Sequence, residues 1–184
     1  MSDAAIRAML PLASSQGWTW STLRAGMAAA GEDPALAESA FPGGPTQAIA
    51  AWGNLANRDM LAGAGDLAAL RIPARIRRLV EVRLTQAAPH KPAVRAALAH
   101  LALPWNVPQG LRFSAQTADA MWRGAGDRSA DFSWYTRRLS LGAIYAATLA
   151  WWLRDDDAEV QSALAFLDRR LADLARLQRR TRPA

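Results

Sequence analysis

The chain has 184 residues, 51% of them hydrophobic, which is enough for one domain with a sizeable core. The absence of cysteine excludes a disulfide, a thiol nucleophile and a thiolate metal site. A formal net charge of +6, carried almost wholly by arginine with Lys91 the sole lysine, suits nucleic acid or an anionic membrane surface.

Alanine is abundant and alternating runs of Val, Ile and Thr are missing, so the pattern predicts an all-α protein. Residues 2–12 read as a first helix with Ala5, Ile6, Met9 and Leu10 on one side, broken by "SSQGWTW". Thr19 or Ser21 can cap a second helix that runs to Ala30 and stops at Gly31. "EDPALAESAF" is a short third helix, with Asp33 at the N-cap and Pro34 in the first turn. "FPGG" at 41–44 is a turn, and Pro45 opens a fourth helix holding Ile49, Trp52 and Leu55 on one side. Five longer helices follow, over about 73–87, 92–103, 107–123, 131–153 and 158–180. The last carries Val160, Leu164, Leu167, Leu171 and Leu174 at three- and four-residue steps, a seam for the core or for a dimer. "RDDD" at 154–157 is a tight turn whose aspartates can cap it. The whole reads as a single all-helical domain over 1–184, with a helix-turn-helix part at 1–44 and a helical body at 45–184.

"DFSWYTRRLSLGAIYAATLAWWL", from Asp131 to Leu153, raises the question of a membrane span. Its uncharged part, Leu139 to Leu153, has only 15 residues, short of the ~20 that a spanning helix needs. The first residues, "MSDAAIRAMLPLA", are too broken for a secretory signal. The eight tryptophans of the chain are either core filler or the flat apolar walls of a site.

Catalytic and metal chemistry find little support. His90 and His100, the two histidines, have no second ligand at metal spacing. There is no Gly-x-Ser-x-Gly and no phosphate-cradling glycine loop. Asp155, Asp156 and Asp157 look like caps, so no enzyme activity is expected. The start of the chain, with its helix–turn–helix spacing and "FPGG", looks like the TetR family of transcriptional regulators. That resemblance implies a third helix that enters the major groove, where arginine, lysine, asparagine or glutamine should face the bases. Here that helix offers Glu32, Asp33 and Glu38 and no base-reading cation, so nucleic acid is not the expected partner. A ligand-responsive regulator remains the alternative reading. Arg71, Arg75, Arg77 and Arg78 form either a solvated face or a contact to anionic lipid.

One family joins a TetR-like start to "GDRSADFSWYTRRLSLGAIYAATLAWWL". Gly126, Asp127, Ser129, Asp131, Phe132, Trp134, Tyr135, Thr136, Arg137 and Arg138 closely resemble the signature of the ubiquinone biosynthesis accessory proteins, the ninth of the Coq proteins. "GWTWSTLRAGMAAAG", "LAESAFPGG" and "FLDRRLADL" resemble the same family in order and spacing. The resemblance implies a non-catalytic, usually dimeric, TetR-like protein without a cofactor. It implies an isoprenoid lipid or quinone precursor in an apolar cavity and its presentation to the demethoxyubiquinone hydroxylase. It places the partner surface at Trp134 and Tyr135, with Asp119 and Met121 beside them. Asp131 is a candidate N-cap, and Arg137 and Arg138 are candidates to pair with Asp119 or Asp127.

Within the helix, Leu141, Ile144, Tyr145, Thr148 and Trp152 recur at three- and four-residue steps, with small residues between them. Large residues beside small ones leave a slot for an alkyl chain or permit close helix packing. Leu111, Ala115, Ala118 and Trp122 on the preceding helix would supply the facing wall. No mitochondrial transit peptide or C-terminal amphipathic helix is recognised. The corresponding expectation is a bacterial cytoplasmic protein, peripherally associated with the inner membrane and meeting it weakly or through another surface.

Overall fold

The computed structural model describes the backbone of residues 2–126 and 133–180, and the side chains of residues 2–126 and 138–176. Every regular element among the described residues is helical. The helices are α1 (Asp3–Gln16), α2 (Trp20–Ala29), α3 (Ala37–Ala40), α4 (Gly44–Gly63), α5 (Ile72–Ala87), α6 (Lys91–Leu101), α7 (Val107–Gly124), α8 (Ser133–Trp152) and α9 (Val160–Arg180). Single 3-10 turns at Pro34–Leu36 and Ala88–His90 precede α3 and α6.

Local chemistry explains most boundaries. The Ser2 hydroxyl accepts from the Ala5 amide and caps α1. The helix does not stop at Leu12 as its sequence predicts; it runs to Gln16 and ends at Gly17, whose φ of 72° suits glycine. Ser14 and Ser15 prolong it by donating back to the Leu10 and Leu12 carbonyls. Thr19 caps α2 by accepting from the Thr22 amide. Asp33 opens the turn before α3 by accepting from Ala35 at 2.9 Å. Of the aspartates at 155–157, Asp155 acts within the turn. The Asp155 carboxylate accepts from the Asp157 amide and closes the turn, and α9 starts later, at Val160.

The chain forms two compact units, one of residues 1–58 and 87–113, the other of residues 59–86 and 114–184. This grouping does not follow a division at residue 44. Trp52, from beyond that point, stacks on Trp18 at 5.4 Å in the first unit. The buried indole of Trp18 also donates to the Ala93 carbonyl, joining α6 to the N-terminal helices. Gly26 of α2 lies against Met9 of α1, so close that a Cβ there would stand 3.2 Å from the Met9 backbone. Leu23, Met27, Phe41, Ile49 and Ala97 complete this core.

In the second unit, α8 and α9 pair as an antiparallel hairpin around buried Trp152, Leu164 and Leu167. Trp152 donates to the Ala158 carbonyl across the turn, and Trp151 stacks on Phe166 at 5.6 Å. Arg75, in the basic run of α5, ties three carbonyls together: Ala68, Leu70 and Ala125. Arg77 pairs with Asp168 and Arg78 with Glu81, so these cations are engaged within the unit.

Candidate functional site

The second unit holds an apolar cavity of about 360 Å³ between four helices. Ile72, Pro73 and Ile76 line it from α5, Trp122 from α7, Leu141 from α8, and Leu171, Leu174 and Ala175 from α9. None of the described lining residues is charged, so the cavity suits an apolar ligand. Of the candidate lipid-binding residues, Trp122 and Leu141 reach this wall.

The others are placed elsewhere. Leu111 is 68% exposed and belongs to the first unit, and Ala115 is also exposed, so neither forms the facing wall. The helix turns both side chains to solvent, a rotation that an apolar repeat does not fix. Tyr145, Thr148 and Trp152 are buried but do not line the cavity. Thr148 satisfies its hydroxyl on the Ile144 carbonyl of its own helix, and Ile144 itself is half-buried away from the cavity wall. Between α7 and α8, Gly142 serves close packing, whereas Ala143, Ala146 and Ala147 are exposed. A Cβ at Gly142 would meet that of Ala118 at 3.7 Å. The walls from α5 and α9 are the part that helix spacing missed. Leu171 and Leu174 were visible only as a seam, and Ile72, 42% exposed, lies just before the predicted start of its helix.

The candidate partner residues divide. Met121 is fully buried and belongs to the core of the second unit, not to a surface. Asp119 is partly exposed and accepts from Arg138 at 2.7 Å and from Arg123 at 2.9 Å. The side chains of Trp134, Tyr135 and Arg137, together with Asp127 and Asp131, lie outside the described residues.

In the first unit the acids around the short third helix are likewise engaged. Glu38 pairs with Arg24 at 2.6 Å. Glu32 accepts from the Ser2 amide and hydroxyl, which hold its carboxyl below the usual range. Burial pushes both imidazoles, His90 and His100, below their ordinary pKa. Among the described residues no group of three His, Cys, Asp or Glu side chains could hold a metal ion.

Residues 107–178, which include five of the eight cavity-lining residues, match the family model described as COQ9. The chain is 39% identical over 98 residues to the human "Ubiquinone biosynthesis protein COQ9, mitochondrial", a match covering 53% of this chain and 31% of that one. The similarly named Drosophila melanogaster protein is 34% identical over 99 residues, covering 54% of this chain and 30% of its own. A crystal structure of a TetR transcriptional regulator from Nitrosomonas europaea superposes with a TM-score of 0.70 at 21% identity, covering 94% of this chain and 97% of that one.

Residues 107–178 are thus similar to the COQ9 family, and the chain as a whole has a TetR-like fold. The matched stretch spans about a third of the length of the COQ9 relatives. At 21% identity the regulator shares the fold alone. One expectation is corrected: a bacterial cytoplasmic location is overturned by relatives that are mitochondrial COQ9 proteins.

Proposed function

We propose that this chain is a non-catalytic, lipid-binding accessory protein of ubiquinone biosynthesis, which presents an isoprenoid quinone precursor to the demethoxyubiquinone hydroxylase. The observation that carries the reading is the uncharged cavity, whose walls come largely from the segment similar to COQ9. Ile72, Ile76, Trp122, Leu141, Leu171 and Leu174 give a prenyl chain an apolar surface. At about 360 Å³ the cavity falls at the small end of ligand pockets, so it holds part of a long tail. Each methylene shielded from water contributes ~0.8 kcal/mol. Passing such a tail to an enzyme without exposing it is the service the protein performs. The hydroxylase meets the surface that includes Asp119, Trp134 and Tyr135, and the protein works as a homodimer.

Organic extraction and mass spectrometry of protein purified from a quinone-producing host tests this reading. Stoichiometric isoprenoid quinone precursors are expected. Lipid-free protein from such a host would remove the cavity from the function.

A further inference from the structure

We propose that the turn joining α6 to α7 is a docking surface for an anionic lipid bilayer. Four large apolar side chains stand in water there: Leu103 (37% exposed), Trp105 (72%), Val107 (40%) and Leu111 (68%). They fall within a short stretch of the first unit, and Val107 and Leu111 lie one turn apart on the same side of α7. Such a concentration of exposed apolar residues marks an interaction surface.

The exposure is built into the turn. The Asn106 and Val107 amides both donate to the Leu103 carbonyl, at 2.8 and 3.1 Å. The Asn106 side chain donates to the His100 carbonyl at 2.9 Å and accepts from the Thr46 hydroxyl at 3.3 Å. Gly110 lies close to Leu101, holding the first turns of α7 on the end of α6. These bonds hold the apolar side chains outward, where collapse onto the core would otherwise shield them.

Charge selects the occupant. Residues 87–113 contain no acid, and of their three cations Arg95 and Arg112 are exposed while Lys91 is buried, so the exposed charge of this stretch is wholly positive. Arg112 is exposed beside Leu111. Arg95, Ala99 and Ala102 share an exposed face of α6 that leads to the turn. An indole and aliphatic side chains among arginines match the layers of a bilayer surface. The indole sits at headgroup level, the aliphatic groups lie just below it, and the guanidinium meets phosphate. Among the described residues no helix is long and apolar enough to cross a membrane, so the contact is one of shallow insertion. The surface lies within the first unit and requires no ligand in the cavity of the second.

Co-sedimentation of the full chain with vesicles tests the proposal. Binding is expected to vesicles of phosphatidylcholine mixed with phosphatidylglycerol, weaker binding to phosphatidylcholine alone, and weakening by salt. The double substitution Trp105→Ser with Leu111→Ser should reduce binding at least about tenfold. Arg112→Gln should reduce it about fivefold on the mixed vesicles only. Leu36→Ser, at another exposed leucine of the same unit, should leave it unchanged. All these side chains are exposed, and circular dichroism checks that each variant is folded. Wild-type protein that ignores the mixed vesicles, or a double variant that binds them as well as wild type, would overturn the assignment. So would a double variant that turns a dimer into a monomer without altering vesicle binding, which gives the surface to a second copy of the chain.

Discussion

Arg138, only 8% exposed, donates its Nε–H to the Asp119 carboxylate at 2.7 Å. The pair joins the start of α8 to α7 inside the segment similar to COQ9. Asp119 is more open, at 27% exposure, and shares its second oxygen with Arg123. The bond therefore serves chiefly to neutralise a buried cation and to set α7 against α8.

Removing the acid leaves that cation buried, so Asp119→Ala should destabilise the protein by about 3 kcal/mol in chemical denaturation. Asp119→Asn, which keeps an acceptor, should lose less. Adding Arg138→Met to Asp119→Ala should recover most of the loss, because the charge needing compensation is gone. The double variant also separates two roles of Asp119. If its stability returns while co-purification with the hydroxylase does not, the carboxylate itself meets the partner.

Leu174 is half-buried on the cavity wall, where a larger ring can enter the empty volume. Leu174→Trp should lower the lipid recovered by extraction several-fold while thermal stability stays within about 1–3 kcal/mol of wild type. Undiminished lipid in a folded variant would place the ligand outside this cavity.

Two helical glycines should respond in opposite directions to a methyl group. At Gly142 a new Cβ finds ordinary contact with Ala118 at 3.7 Å and the Ser114 carbonyl at 4.0 Å. Gly142→Ala should therefore stabilise by about 0.5–1 kcal/mol through helix propensity. At Gly53 the same atom would collide with the Phe113 ring. Gly53→Ala should destabilise by about 1–3 kcal/mol. Denaturant midpoints of the two variants decide both.

His100 is partly buried, with Nε2 at 2.8 Å from the Thr46 hydroxyl. Burial holds its pKa below the usual imidazole value of about 6.5. Below that value the unfolded chain takes up a proton that the folded chain refuses. Stability is thus fully present above about pH 6.5 and declines as the pH falls towards the lowered folded value. The urea midpoint should drop on acidification from neutral pH, and His100→Gln should flatten part of that slope. His90, lowered in the same direction by burial, leaves the remainder.

Much of the helix order was legible in the residues because caps and stops act locally. Thr19, Asp33 and Gly31 do in the structure what their chemistry predicts. Errors arose where a local signal had two outlets. The serines after Leu12 prolong α1 by bonding backwards, and Asp155 closes a turn where a helix cap was expected.

By itself the sequence determined an all-helical chain with a stretch that resembles the COQ9 signature and a short third helix poor in cations. These features depend on residues near one another, or on motifs that need no spatial partner. Tertiary structure alone decided which apolar face met which. It buried Met121, turned Leu111 and Ala115 outward, and brought Ile72 and Ile76 of α5 opposite Leu171 and Leu174 of α9. Helical periodicity identifies an apolar stripe, but the rotation and crossing of neighbouring helices determine whether it closes a core, lines a cavity or faces water.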